Sequence, residues 1–284
     1  MKPKSKAISW NICRQCNYNC SYCAQGKDHT GLPSPAELAK ITEFFCNLEP
    51  GWEIKISGGE PFVCPGFLDI IRGLKKAGIK ISVVTNFSFP EPVYKKFIKI
   101  TGKYLRSFSV SLHREKVDWR DFLAKCTRIK KKIDKTKHGS FVVNSVVEPG
   151  KAHELIGIKK AFKEYGIRFY PQLMRVKGRT VEYNRDEQAV ILKLAEDKNP
   201  FKINAGYSLK GKTCYAGMNY FVVTPGGKCY SCYPGKRDES GYMGSIIDGD
   251  FKFRDRPIAC PYDVCPCTVP INRRMVNFDE KQKE

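Results

Sequence analysis

The sequence predicts an α/β fold, a largely parallel sheet followed by a small cysteine-rich region. Three features carry that expectation. Short β-branched runs alternate with helical patterns to about residue 174, the alternation breaks between 180 and 205, and thirteen cysteines crowd toward the two ends of the chain. Alternating βα units imply right-handed crossovers and a parallel sheet, either doubly wound or curved into a full or partial barrel. Six units are too few for a complete eight-stranded barrel.

The first strand is AISWNI (7–12), an apolar run that leads straight into cysteines. SPAELAKITEFFCNL (34–48) reads as a helix, with Ser34 able to cap it and Pro35 suited to its first turn. EIKIS (53–57) is the second strand, PGFLDIIRGLKKAG (65–78) a helix stopped by Gly78, and IKISVVT (79–85) the third strand. PEPVYKKFIKI (90–100), SFSVSL (107–112), VDWRDFLAKCTRIKKKI (117–133) and SFVVNSVV (140–147) continue as helix, strand, helix, strand. AHELIGIKKAFKEYG (152–166) ends at Gly166, and IRFYPQLM (167–174) is the sixth strand. RDEQAVILKLAED (185–197) is a last helix, after which Gly, Pro, Tyr and Cys dominate, so the chain divides into residues 1–200 and 201–284. The polar tail FDEKQKE is expected to fray.

With 284 residues the chain can bury a sizeable core. No apolar run approaches the roughly 20 residues that span a bilayer. The start, MKPKSKAISWNIC, has no apolar stretch before a cleavage site, so a cytoplasmic protein without a membrane partner is expected. An odd number of cysteines argues against a paired disulfide framework and for thiolate ligation at two sites. The net charge of +21, from 50 Lys plus Arg against 29 Asp plus Glu, would favour polyanions or acidic protein partners, although lysines coating the exposed faces of amphipathic helices are the preferred explanation. No nucleic-acid signature accompanies the charge, so nucleic acid is not the expected partner.

The first cluster reads Cys13-Arg-Gln-Cys16-Asn-Tyr-Asn-Cys20-Ser-Tyr-Cys23, directly after the first strand. Loops at that position form the ligand-binding rim of α/β folds. Three thiolates at the spacing of Cys16, Cys20 and Cys23 can reach three irons of a cubane and leave the fourth open. Asn17 and Asn19 tolerate the left-handed backbone that such a wrap can require. Cys13 falls on or just after the strand and reads as non-ligating. A four-thiolate zinc site including Cys13 is the competing reading, although zinc ligand pairs usually straddle a longer segment.

This spacing, with Tyr22 before the last cysteine, resembles the radical S-adenosylmethionine (SAM) superfamily. Further matches follow in the family's order: Ser-Gly58-Gly59-Glu60-Pro61 after the second strand, Thr85-Asn86 after the third, SVSLH (109–113), NSVV (144–147) and YPQLM (170–174). The resemblance covers about residues 7–175 and implies a partial (β/α)6 TIM-like barrel. It implies a 4Fe–4S cluster on Cys16, Cys20 and Cys23, with SAM on the open iron and cofactor contacts from Tyr22, Gly58, Gly59, Glu60, Pro61, Asn86, Ser109, Ser111 and Asn144. For Ser109, Ser111 and Asn144 ordinary strand-end hydrogen bonding is the plain alternative. The implied chemistry is reductive cleavage of SAM to a 5′-deoxyadenosyl radical that takes a hydrogen atom from a substrate. A peptide is the first choice of substrate; a carbohydrate-like or nucleotide small molecule, or RNA, is the alternative. Flavodoxin or ferredoxin would supply electrons.

The second cluster begins at Cys214. Its sequence predicts a β-hairpin, with FVVT and KCYSCY flanking Pro225, Gly226 and Gly227, that brings Cys214 and Cys232 together. The Cys214–Gly227–Cys232 spacing resembles the entry to Twitch or SPASM auxiliary-cluster regions, and the lack of the longer cysteine array favours the smaller Twitch form. This implies a second iron–sulfur cluster, of the 4Fe–4S kind, on Cys214 and Cys232 with partners among Cys260, Cys265 and Cys267. Zinc is the alternative metal. Cys229 could be a ligand, a buried thiol or a hydrogen donor. Cys46, Cys64 and Cys126 read as small buried hydrophobes, and His113 either faces substrate or caps a packed network.

Overall fold

The computed structural model describes residues 5–23, 31–176, 179–196, 200–201, 208–263, 265, 273 and 275–276. Six parallel strands, β1 (Lys6–Asn11), β2 (Trp52–Ser57), β3 (Lys80–Thr85), β4 (Leu105–Leu112), β5 (Ser140–Val147) and β6 (Arg168–Leu173), lie side by side in chain order. Helices α1 (Pro35–Cys46), α2 (Phe67–Lys76), α3 (Glu91–Thr101), α4 (Trp119–Ile133) and α5 (Glu154–Glu164) make the crossovers. A short ribbon, β7 (Arg175–Val176) with β8 (Arg179–Thr180), and helix α6 (Arg185–Ala195) follow. The fold class is as the sequence predicts, a partial barrel whose sheet runs open from one edge to the other. Among the described residues no helix is long and apolar enough to cross a membrane.

Local chemistry sets the helix boundaries. Ser34 and Glu37 form a reciprocal capping box at the start of α1, and Asn184 and Glu187 form another at α6. Gly78 and Gly166, just past α2 and α5, adopt the left-handed backbone that stops a helix.

Alternation along the strands sorts the two faces. In β5, Phe141, Val143 and Val147 join the core that α4 and α5 cover with Phe122, Ile129, Leu155 and Phe162. Val142, Asn144 and Val146 are half-buried on the other, concave face.

The cysteine-rich region returns to the opposite edge of this sheet. It contributes β9 (Thr213–Cys214), β10 (Tyr220–Val223), β11 (Lys228–Tyr230), helix α7 (Tyr233–Arg237), β12 (Tyr242–Ser245) and β13 (Ile258–Ala259). The expected hairpin is β10–β11, with Val223 opposite Cys229, and β10 pairs in parallel with β1, so the sheet grows to nine strands. Phe221 and Val223 face the helix-covered core. Tyr220 and Val222 face a second cluster with Ala7, Leu209, Cys214, Cys232, Cys260, Cys265, Met275 and Val276. The region therefore covers the concave face beside β1 and β10.

Candidate cluster and cofactor site

Every element of the first site lies at the C-terminal ends of β1 to β4. The loop after β1 is seated on the loop after β2: the Gly59 amide donates to the Cys13 carbonyl at 2.8 Å and the Glu60 amide to the Gln15 carbonyl at 2.9 Å. The two glycines are dictated by this contact. A Cβ on Gly58, whose φ is +138°, would lie 2.5 Å from the Cys13 oxygen, and one on Gly59 would overlap the Gln15 oxygen. The close approach they permit is to the cysteine loop's own backbone. Asn17 and Asn19 keep negative φ, so the loop does not use the left-handed backbone that asparagine tolerates.

Glu60 is fully buried and holds the next strand ends. Its carboxylate accepts from the Thr85 hydroxyl at 2.7 Å, the Asn86 amide at 2.7 Å and the Phe62 amide at 3.2 Å, capping the single turn that Pro61 opens. Burial pushes its pKa up to about 7 against these three donors. Asn86 in turn donates to Asn17 at 2.9 Å and to the Cys16 sulfur at 3.7 Å, while Asn17 donates to Ser88. Phe87, next in line, has a φ of +62° despite its bulk. It is held there by Lys125, which donates to the Phe87 carbonyl at 2.7 Å and lies over its ring. Sequence reading missed Lys125 and Phe87 because neither belongs to a motif; their role appears only when α4 packs over the β3 loop.

Cys13 turns away from the other three loop thiols. Fully buried, it donates to the Gln15 and Glu60 carbonyls, and burial first, then Cys64 and Glu60, pushes it up to about 12. Cys16 accepts from the Tyr18 amide at 3.4 Å, and burial raises its pKa. Cys20 is raised to about 12 by burial, then by Glu115, Cys16 and Cys23. Three thiols of one loop thus lie within one another's electrostatic field, where a bound cation would reverse every one of these shifts. The soft sulfur donors fit iron. Among the described residues no three Cys, His, Asp or Glu side chains already stand as a ready-made single-ion site.

His113, at the end of β4, belongs to this assembly. Its Nδ1 is 3.4 Å from the Cys20 sulfur and 3.2 Å from the Tyr22 hydroxyl, and its ring is stacked on Tyr22 and meets Tyr18 edge-on. Burial lowers its pKa to about 4, so the ring is neutral at pH 7. Glu115 ties the same loop down by accepting from the Ser21 amide at 2.8 Å. Further along the concave face, Asn144 donates to Ser109 at 2.6 Å, and Ser111 is its register partner on β4. These three form a polar patch of their own.

The C-terminal thiols divide between the two faces. Cys214, Cys232, Cys260 and Cys265 are all buried in the concave-side cluster, and Cys267 lies outside the described residues. Cys214 and Cys260 share a hydrogen bond, which eases the first proton from the pair and holds the second, lowering Cys260 and raising Cys214. Cys232 caps α7 by accepting from the Gly235 amide at 3.4 Å and feels the field of Cys260. Cys229, one residue out of phase in β11, points into the helix-side core instead and donates to the Gly227 carbonyl. Of its three possible roles this leaves the buried thiol. Cys64 and Cys126 are likewise buried in that core.

Residues 10–148 match the Radical SAM superfamily. The matching segment contains the loop thiols Cys16, Cys20 and Cys23 as well as Gly58, Gly59, Glu60, Asn86, His113 and Asn144. Over 89 aligned residues the chain is 37% identical to a probable GTP 3′,8-cyclase of Methanococcus aeolicus, a match over 28% of this chain and 29% of that protein. The chain thus aligns with under a third of the length of that curated relative. In fold it resembles SuiB of Streptococcus suis bound to its precursor peptide SuiA, with a TM-score of 0.61 and 14% identity over 87% of this chain and 65% of that one. It also resembles anSMEcpe with bound AdoMet and Cp18Cys peptide, with a TM-score of 0.58 and 20% identity over 85% and 78%.

Proposed function

We propose that the protein is a radical SAM enzyme that modifies a peptide. The observation that carries the reading is the loop after β1, where Cys16, Cys20 and Cys23 share one electrostatic neighbourhood inside a segment matching the superfamily. Those residues would hold a 4Fe–4S cluster and leave one iron for SAM, and the bound pair would supply reductive C–S cleavage to a 5′-deoxyadenosyl radical. The chain's part is positioning. Glu60 and Asn86 lock the cysteine loop against the ends of β2 and β3, and Gly58 and Gly59 let the two backbones meet. Tyr22, Pro61, Ser109, Ser111 and Asn144 are the remaining proposed cofactor contacts, on the same rim or on the concave face below it.

Cys214 and Cys232, with two of Cys260, Cys265 and Cys267, are the proposed ligands of an auxiliary iron–sulfur cluster in a Twitch-like region. The buried cluster that Cys214, Cys232, Cys260 and Cys265 share on the concave side supports this assignment. A flavodoxin or ferredoxin is the proposed electron donor, and the cytoplasm the proposed location. A peptide is favoured because the fold likeness to two proteins solved with bound peptides extends over 85–87% of the chain. The cyclase likeness supports a nucleotide as the second reading, but it covers 28%.

Anaerobic reconstitution with iron and sulfide tests the core of the proposal. The protein should gain close to four irons per cluster and, with SAM and dithionite, release 5′-deoxyadenosine. The Cys16, Cys20 and Cys23 triple Ala variant should release none. Deoxyadenosine from the triple variant would end the reading.

A further inference from the structure

We infer that His113 tunes the reduction potential of the loop cluster through an Nδ1–H···Sγ hydrogen bond to Cys20. The inference rests on the cluster reading above and adds a residue to it that acts through a ligand, as a positioning residue. Nδ1 stands 3.4 Å from the Cys20 sulfur, within hydrogen-bond reach for a sulfur acceptor. An iron-bound thiolate carries no proton, so the bond exists only if Nδ1 is the donor. The ring cannot easily swing away. Tyr22 stacks on it at 5.9 Å between centroids with 16° between planes, and Tyr18 closes the edge at 5.9 Å and 90°. A donor at a ligand sulfur withdraws charge and favours the reduced, more negative cluster, which raises the potential.

The Tyr22 hydroxyl, 3.2 Å from the same nitrogen, competes for that proton. Histidine is the side chain that meets this geometry because its nitrogen lies on a rigid ring anchored at the end of a strand. Asn86, by comparison, reaches Cys16 at 3.7 Å while already bonded to Asn17 at 2.9 Å. His113 is therefore the side chain with the shorter approach to a cluster sulfur of the two.

The experiment uses the full chain, reconstituted anaerobically without SAM. Iron, sulfide and the EPR signal of the reduced wild-type protein come first; lack of a cubane there would defeat the cluster reading, separately from this one. With the cluster present, and the auxiliary cluster's signal removed by subtracting that of the Cys16, Cys20 and Cys23 triple Ala variant, EPR-monitored redox titration should show the loop cluster of His113→Leu shifted to lower potential. The reduced-to-oxidised ratio at a fixed potential should fall by about tenfold, 59 mV for a one-electron couple. His113→Asn, whose side-chain amide nitrogen takes the place of Nδ1, should recover most of that shift. A Leu variant at the wild-type potential, or Asn and Leu variants shifted alike, overturns the inference. Should His113→Leu fail to fold, the wild-type fold still decides. The chain has four histidines, and ring-¹⁵N-histidine protein carrying only His29→Gln should show ¹⁵N coupling to the reduced cluster in pulsed EPR. Absence of that coupling overturns the inference as well.

Discussion

Gly59 has no room for a side chain, because its Cα faces the backbone of Arg14 and Gln15 and not a deformable side chain. Gly59→Ala must therefore push the cysteine loop off the β2 loop and break the Gly59–Cys13 and Glu60–Gln15 hydrogen bonds. The expected cost is about 1–3 kcal/mol, with a matching loss of iron uptake after reconstitution. Iron counting beside urea unfolding checks it, and an Ala variant with full iron and unchanged stability would contradict the packing argument. At this scale the grouping of Cys16, Cys20 and Cys23 in the loop after β1 was legible, because their spacing keeps them within eight residues of one another. His113 was not: whether it faces solvent or the loop depends on Tyr18 and Tyr22 arriving from a segment about 90 residues earlier. That Gly58 and Gly59 meet the cysteine loop's own backbone was not legible either, because Cys13 and Gln15 lie more than 40 residues earlier in the chain.

Strand β2 carries a charge that ties two distant elements together. Glu53, on the concave face and buried, accepts from Ser82 of β3 at 2.6 Å and pairs with Arg273 from the far end of the chain. Burial alone would raise its pKa, but Lys55, Ser82 and Arg273 together hold it below its ordinary value of 4.5. The folded state therefore binds the proton less readily than the unfolded one. The stability this contributes is present above pH 4.5 and is lost as the pH falls through the lowered folded value. Arg273→Ala leaves a buried carboxylate short of a donor and should cost roughly 1–3 kcal/mol at pH 7. Anaerobic urea unfolding of both proteins at pH 7 and near pH 3 should show the gap narrowing in acid; a constant gap would exclude the pair as its source. The six parallel strands were legible because apolar β-branched runs bounded by helical periodicity have one reading in a βα repeat. The pairing of β10 with β1 was not, since parallel register between segments some 210 residues apart leaves no local mark.

Over the whole molecule, the excess of 50 basic over 29 acidic residues makes a net charge of +21. If an acidic flavodoxin or ferredoxin docks on this field, turnover with that donor should fall several-fold as ionic strength rises from about 20 to 300 mM, where the Debye length shrinks to several ångströms. Turnover with dithionite should change far less. Equal salt dependence with both reductants would remove the docking argument and leave the lysines as solvated helix faces.

The amino-acid order by itself determined the α/β alternation, the loop thiols after the first strand and the hairpin that leads into the second set of thiols. Each of these is written within a few tens of residues, as periodicity, spacing or turn chemistry. Only the tertiary structure decided that Cys229 turns away from the other C-terminal thiols, that Glu60 and Asn86 lock the cysteine loop, and that the C-terminal region covers the concave face beside β1. Those outcomes depend on which face of a strand meets which distant neighbour. A shift of one residue reverses them, as the adjacent Val222 in the concave-side cluster and Val223 in the helix-side core illustrate.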